Sequence, residues 1–136
     1  MRHQLIEQFV NEIIRMLQLH EFFQESPQYF HWKIIENTAL LHDLQAAAAA
    51  TCIDNTPTMI LANDWDLECD SYAIAHETIH LAQILKGDLV PIPHDGANVM
   101  WKGKKFRILN GDAEDYYSAQ PWEGEAREFL NKLGAI

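Results

Sequence analysis

Apolar residues recur at intervals of three and four positions over residues 4–23. They are Leu5, Ile6, Phe9, Val10, Ile13, Ile14, Leu17 and Phe22 or Phe23. This spacing places them along one wide face of a helix, so the pattern predicts an amphipathic helix packed on a core. Ser26-Pro27 is expected to end this helix, because the backbone before a proline avoids the helical region.

Short β-like segments follow the first helix. Residues 31–36 predict a strand. Residues 38–50 have two interpretations, because their leucines and alanines favour a helix by propensity, whereas the alanine run continues directly into a strand-like segment. Residues 54–57 are typical of a turn. Segments 48–53 and 58–63 are therefore predicted to pair as a hairpin.

The apolar segment from Tyr72 to Leu85 predicts a long helix. Either Asp66 or Asp70 is expected to cap its N-terminus, where acidic side chains also interact favourably with the helix dipole. Gly87 follows the last helical position, and a glycine there is typical of a helix C-terminus.

Beyond residue 89 the pattern becomes β-like and then helical. Residues 99–102 and 105–109 flank Gly103-Lys104, which predicts a second hairpin. Further turns are predicted at His94-Asp95-Gly96 and at Asn110-Gly111-Asp112. Pro121 suits the first position of a last helix that ends at Gly134. Together the elements predict an α+β fold with an N-terminal helix, a small, mostly antiparallel sheet, the long helix, a β-hairpin and a C-terminal helix.

The length and charge of the chain limit its class and partners. Its 136 residues predict one domain over residues 1–136. Apolar residues make up 48% and charged residues 22%, as in an ordered globular protein. The net charge of −10 argues against nucleic acid as a partner, because phosphate binding needs a basic surface. The basic cluster within residues 102–107 is short, and we expect it to be a solvated hairpin face.

The cysteines and the N-terminus bear on location. Cys52 and Cys69 show no pairing pattern and are expected to be reduced thiols. The N-terminal segment is amphipathic and lacks the apolar region of a signal peptide. No apolar run approaches the roughly 18 residues of a membrane span. We therefore expect a cytoplasmic protein with no membrane partner, and its oligomeric state stays open.

The predicted long helix contains His76-Glu77-Thr78-Ile79-His80. Residues four apart share a helix face, so His76 and His80 can present two imidazoles to one ion. Glu77 falls beside them, near enough to act on a water at the ion without binding the ion itself. This arrangement is typical of zinc peptidases. It predicts zinc as the cofactor and a peptide or protein as the substrate.

A catalytic zinc site has three protein ligands, so the third ligand has to come from another element. The predicted last helix carries Glu123 and Glu125, which flank its apolar stripe on opposite sides at similar angles. Glu125 shares its side with Glu128, as on a solvated edge, whereas Glu123 lies beside Leu130. Periodicity alone leaves both Glu123 and Glu125 as candidates.

The order of these motifs resembles the gluzincin metallopeptidases, in which a glutamate on a downstream helix completes His-Glu-x-x-His. Several branches place that glutamate in a Glu-x-x-Ala pattern, which Glu123-Gly124-Glu125-Ala126 matches. Trp101-Lys102-Gly103 and the later Pro-Trp-Glu also resemble small phage-associated metallopeptidases. The resemblance covers about residues 70–133.

The resemblance implies a minimal zincin-like domain with the His-Glu-x-x-His helix, a β-hairpin and a C-terminal ligand helix. It implies Glu123 as the third zinc ligand, with Glu125 as the alternative, and a host cytoplasm as the location if the chain is phage-encoded. Arg127 departs from the branches in which Asp or Asn follows the alanine and orients a ligand histidine. Candidates for that orienting role are Asp112, Glu114 and Asp115.

The implied reaction is peptide hydrolysis, in which Glu77 takes a proton from the attacking water and passes it to the leaving amine. Tyr117 is the first candidate to stabilise the oxyanion, ahead of Tyr116 and His94. The predicted strand at 58–63 is the candidate edge along which an extended substrate adds.

Two other functions compete with the peptidase hypothesis. A catalytically silent zinc-binding module, with a regulatory or interaction role, would keep the site without turnover. Such a module has no need of the base that Glu77 provides. A hydrolase of a peptidoglycan-type amide would act outside the cytoplasm, and the expected lack of an export signal disfavours it.

Overall fold

The computed structural model describes residues 2–19, 22, 32–41, 47–92, 98–107 and 120–134. The helices in these ranges are α1 (Arg2–Leu19), α2 (Thr38–Leu41), α3 (Leu67–Leu85) and α4 (Pro121–Lys132). The strands are β1 (Lys33–Glu36), β2 (Ala48–Ile53), β3 (Thr56–Leu61), β4 (Leu89–Pro91), β5 (Asn98–Trp101) and β6 (Lys104–Arg107). This α+β composition agrees with the prediction. None of these helices is long and apolar enough to cross a membrane.

Helix α1 packs by the apolar stripe that its sequence predicts. Ile6 and Leu17 are at most 1% exposed, whereas Leu5 is 49% exposed and lies at the margin of the stripe. The helix ends at Leu19, and Phe22 is buried beyond it in the same cluster as residues of α3 and α4. The predicted stop at Ser26-Pro27 lies outside the described residues.

The first sheet has the strand order β1-β3-β2. Strands β2 and β3 form the predicted hairpin, which is closed by a two-residue turn. Asp54 (φ 51°) and Asn55 (φ 63°) both take the left-handed conformation that such a tight turn requires. The ambiguous segment 38–50 contains both a short helix and a strand, since α2 ends at Leu41 and β2 begins at Ala48.

One prediction about the sheets needs correction. Strand β3 is central, parallel to β1 and antiparallel to β2, so the segment at 58–63 has no free edge for a substrate. The predicted second hairpin, β5-β6, is joined by β4, so the strands form two three-stranded sheets. The error concerns a pairing between distant segments. Strands β1 and β3 can pair in parallel because the chain between them, which contains α2 and β2, is long enough to form the crossover that a parallel pair needs.

Helix α3 lies at the centre of the fold and contacts α1, α4, β2, β3 and β4. Asp66 is its N-cap, as predicted, and Asp70 accepts the backbone N–H of Asp66 in return. At the other end Gly87 (φ 84°) takes the left-handed conformation. The N–H of Asp88 then bonds to the carbonyl of Gln83, which completes a Schellman motif. Local sequence therefore determines both ends of this helix.

Small residues let other elements approach α3 closely. Ala48 on β2 is buried in a cluster with Ile74 and Leu81 of α3. Ala126 on α4 is fully buried in another cluster with Ala75 of α3. The alanine run of β2 is thus explained by packing, because larger side chains would hold the strand away from the helix.

The second sheet, β4-β5-β6, is antiparallel and covers the C-terminal end of α3 and the start of α4. Its hairpin turn is Lys102-Gly103, one residue earlier than predicted, with positive φ at both positions. The basic side chains at 102, 104, 105 and 107 are exposed, as expected for a solvated hairpin face.

Helix α4 begins at Pro121 and is followed by Gly134 with φ 65°, as predicted. Its predicted apolar stripe is buried: Trp122, Ala126, Phe129, Leu130 and Leu133. The predicted turns at 94–96 and 110–112 lie outside the described residues.

Candidate metal centre

His76 and His80 lie one turn apart on the same face of α3. Their ring centroids are 4.6 Å apart and the rings are inclined at 81°. His80 is buried, whereas His76 is partly exposed. The pair therefore offers one imidazole nitrogen from the interior and one from the accessible side of the same site.

Glu123 enters from α4 and reaches both histidines. Its Oε2 lies 3.0 Å from Nε2 of His76, and its Oε1 lies 3.1 Å from Nε2 of His80. One ligand atom from each of the three residues lies within 4.8 Å of the others, the arrangement expected of a metal-binding group. In the part of the chain that the structure describes, these three residues are the group that could hold an ion.

Glu125 does not join this group. Its Oε1 accepts a hydrogen bond of 3.0 Å from Nε2 of Gln83, on α3. Helix α4 therefore directs the two carboxylates to different partners, Glu123 to the histidines and Glu125 to Gln83. The geometry separates two candidates that helical periodicity left equivalent.

Glu77 lies at the boundary between α3 and β2. Its Oε2 accepts a hydrogen bond of 3.1 Å from the backbone N–H of Ala50, and its Oε1 lies 3.4 Å from Nδ1 of His76. The carboxylate is thus held beside the three-residue group without belonging to it. That is the position expected of a base that acts next to a metal without binding it.

The electrostatics of the group follow from these contacts. Burial opposes charge on His76, but the carboxylates of Glu123 and Glu77 outweigh it and raise the pKa of His76 to about 10. Burial likewise opposes charge on Glu123, but the two imidazoles beside it lower the pKa of Glu123 to about 2. The pKa of His80 is also raised, by Glu123 and Glu77 against its burial. A positive His76 imidazole therefore lies beside the anionic carboxylate of Glu123.

The residues fit a divalent metal such as zinc. Two imidazole nitrogens and one carboxylate oxygen form a donor set typical of catalytic zinc. Ligand atoms around zinc, with bonds of about 2.0–2.2 Å, are separated by roughly 3–3.5 Å. Nε2 of His76 lies 3.0 Å from Oε2 of Glu123 and Nε2 of His80 lies 3.1 Å from Oε1, while one ligand atom from each residue lies within 4.8 Å of the others, so the three donors face a common point. Within the described residues the buried Nε2 of His80 also has no hydrogen-bond partner.

Gln83 is the residue near the site that sequence reasoning missed. It is fully buried, and its Oε1 lies 2.7 Å from Nδ1 of His80. Its position gave a signal, because a glutamine three residues after His80, within an apolar helical run, shares the face of that histidine. The residues proposed for this neighbourhood, Tyr117, Tyr116, His94, Asp112, Glu114 and Asp115, lie outside the described residues.

Comparison of the chain with protein-family models, with curated proteins and with solved structures finds no match. What the protein does must therefore be inferred from its own residues. Those residues define a class of site, a candidate metal centre of two histidines and one glutamate with a second glutamate beside it.

Proposed function

We propose that this protein is a zinc-dependent metallopeptidase of the gluzincin type, in which His76, His80 and Glu123 hold the metal. The observation that carries the proposal is the convergence of these three side chains from two helices, with the carboxylate of Glu77 beside them. When bound there, zinc would lower the pKa of a water toward neutrality and polarise a carbonyl oxygen. The fold then corresponds to a minimal zincin-like domain.

In this proposal Glu77 is the general base. It accepts a proton from the water that attacks the peptide carbonyl and delivers that proton to the leaving amine nitrogen. A C–O bond forms first and gives an oxyanion, the C–N bond then breaks, and the products are a carboxylic acid and an amine. The N–H of Ala50 fixes the position of the Glu77 carboxylate. Proton transfer by a positioned side chain contributes about 10²–10⁴-fold to rate.

The free edge of β2 supports a peptide as the substrate. Ile53 and Thr56 flank the two-residue turn and form a hydrogen-bonded pair. Hydrogen-bonded and non-hydrogen-bonded pairs then alternate along the two strands. Ala50 and Cys52 consequently direct their backbone N–H and C=O groups away from β3. The hydrogen bond from Ala50 to Glu77 agrees with that direction. Among the described strands none pairs with this edge of β2, and an extended peptide would meet Glu77 there. Tyr117 stays the predicted stabiliser of the oxyanion.

Metal analysis combined with peptide cleavage tests the proposal. Protein purified without added zinc is expected to contain about one zinc per chain. Cleavage of casein or a peptide library should fall by at least about a hundredfold in Glu77→Gln, which keeps an oxygen for Ala50 N–H but loses the base. Glu68→Gln is the matched control, because Glu68 is an exposed glutamate on the same helix.

The other outcomes separate the competing functions. Bound zinc without cleavage of any peptide would indicate a catalytically silent zinc-binding module. Cleavage confined to peptidoglycan fragments would indicate the amide hydrolase. A folded protein that binds no zinc would falsify the proposal.

A further inference from the structure

Gln83 lies at the interface between α3 and α4 and is fully buried there. A buried amide is costly unless its donors and its acceptor are all paired. Gln83 meets this requirement with three partners from both helices: Nδ1 of His80, the carbonyl of Trp122 and the carboxylate of Glu125.

The partners on α4 settle the orientation of this amide. The carbonyl oxygen of Trp122 and Oε1 of Glu125 each lie 3.0 Å from Nε2 of Gln83. A carbonyl and a carboxylate only accept hydrogen bonds, so both N–H bonds of the amide must point toward α4. The reversed orientation would place an amide oxygen against two other acceptors. Oε1 of Gln83 therefore faces His80.

This orientation determines the proton on His80. Oε1 of Gln83 lies 2.7 Å from Nδ1 of His80 and only accepts, so Nδ1 must carry a hydrogen. In the neutral imidazole the lone pair is then on Nε2, the nitrogen that lies 3.1 Å from Glu123. That nitrogen is buried and, in the part of the chain that the structure describes, has no hydrogen-bond partner. It is the atom of His80 left to bind a metal.

The same amide also fixes α4 on either side of the third ligand. Trp122 precedes Glu123 in the chain, and Glu125 follows it two residues later. A single side chain thus orients His80 through its oxygen and holds the segment that carries Glu123 through its nitrogen.

We propose that Gln83 is a positioning residue of the metal centre, which sets the tautomer of His80 and places Glu123 in register with it. The proposal rests on the proposed function, since it concerns the same site. Residues that orient a metal ligand typically change metal affinity by about tenfold to a hundredfold. The affinity for zinc is therefore expected to depend on Gln83, although Gln83 contributes no ligand atom.

Three variants separate positioning from simple packing. Gln83→Leu keeps a side chain of similar size but loses all three hydrogen bonds. The exchange of Gln83→Glu with Glu125→Gln restores an acceptor for His80 and a donor from α4, and the introduced carboxyl, which burial keeps neutral, can donate its O–H to the carbonyl of Trp122. Thr78→Val is the matched control, because Thr78 is equally buried on α3 and its hydroxyl bonds only to the carbonyl of Ile74.

Zinc affinity by chelator competition and the visible spectrum of the Co²⁺ form are the measurements. Gln83→Leu should weaken zinc about tenfold to a hundredfold and alter the Co²⁺ bands. The exchanged pair should recover most of that loss, and Thr78→Val should match the wild type in both measurements. The positioning role is overturned if Gln83→Leu binds zinc as the wild type does, or if the exchanged pair recovers nothing while remaining folded.

A third measurement does not depend on metal. In the metal-free wild type, Nδ1–H of His80 should give a slowly exchanging proton resonance in ¹⁵N-edited spectra, which Gln83→Leu loses and the exchanged pair regains. If the wild type binds neither Zn²⁺ nor Co²⁺, the proposed function fails, and this resonance still decides whether Gln83 orients His80. If Gln83→Leu does not fold, the exchanged pair alone carries the test.

Discussion

Oε2 of Glu123 lies 3.0 Å from Nε2 of His76, although 47 positions separate the two residues in the chain. The packing of α4 on α3 brings them together. Ala75 and Ala126 are both fully buried in the cluster between these helices, where small side chains permit a close approach. The metal centre therefore depends on a helix contact made mainly by apolar residues that bind no ion.

Ala126→Leu tests that dependence. The larger side chain should push α4 away from α3, destabilise the protein by about 1–3 kcal/mol and weaken zinc binding. Asn131→Leu is the control, because it adds a leucine at an exposed position of the same helix. Denaturant unfolding and zinc competition should both change in the first variant. Unaltered zinc affinity in a destabilised Ala126→Leu would mean that the helix spacing does not govern the site.

Removing the two candidate carboxylates should have unequal effects. Glu123→Ala removes the carboxylate beside both histidines. Zinc affinity should therefore fall by more than about a hundredfold, which is the upper loss typical for a residue that only orients a metal ligand. Glu125→Ala leaves the three-residue group intact and removes only an acceptor of Gln83, so its loss should be smaller. Isothermal titration with zinc measures both. The opposite ranking would make Glu125 the ligand.

Zinc uptake should release protons. In the metal-free protein the carboxylates of Glu123 and Glu77 raise the pKa of His76 to about 10, so this imidazole is protonated near neutral pH. Zinc binds neutral imidazole, and its affinity should therefore rise with pH as this proton is removed. Titration calorimetry in buffers of different ionisation enthalpy counts the protons. A binding heat that is independent of the buffer would contradict the protonated state.

The stability of the metal-free protein should pass through a maximum in mildly acidic solution. The pKa of His76 is raised from 6.5 to about 10, so its contribution is complete below pH 6.5 and is lost as the pH rises through about 10. The pKa of Glu123 is lowered from 4.5 to about 2, so its contribution is present above pH 4.5 and is lost as the pH falls toward 2. Between pH 4.5 and pH 6.5 the ion pair of His76 with Glu123 makes its full contribution to the stability of the folded protein. Tm measured against pH in a chelator checks this, with Glu123→Gln as the variant that should flatten the profile.

Proline substitutions test the register of β2. Ala50→Pro removes an N–H that faces the free edge, which an edge strand tolerates, and it releases Glu77 from its donor. Thr51→Pro removes an N–H from the ladder with Thr58, and it should destabilise the protein far more. Circular dichroism and thermal unfolding distinguish the two. An equal loss of thermal stability in both variants would show that the alternation of N–H groups along β2, between the free edge and β3, is wrongly assigned.

The features that could be predicted from the sequence are those that neighbouring residues determine. Asp66 and Gly87 mark the ends of α3 through their own backbone and side-chain chemistry. Asp54 and Asn55 favour the left-handed conformations of a tight hairpin turn. The spacing of His76 and His80 on one helix face follows from the helical repeat alone.

The features that could not be predicted depend on contacts between distant segments. Nothing local shows that β3 takes the central place or that β4, β5 and β6 form a separate sheet. Glu123 and Glu125 are equivalent on an isolated helix, and only the docking of α4 on α3 assigns one to the histidines and the other to Gln83. The alanines of β2 have high helix propensity, but close packing under α3 favours the strand.

The chain order of the three metal-site residues has a consequence for biosynthesis. During translation α3 emerges with His76 and His80, while Glu123 is supplied only after the second sheet has been made. A nascent chain at that stage carries two histidines without their carboxylate. Metal binding contributes to folding once all ligands are present. Zinc would therefore stabilise the docking of α4, which becomes possible only late in synthesis. A ribosome that stalls before α4 would therefore leave a chain that can form α3 but lacks the third residue of the candidate metal centre.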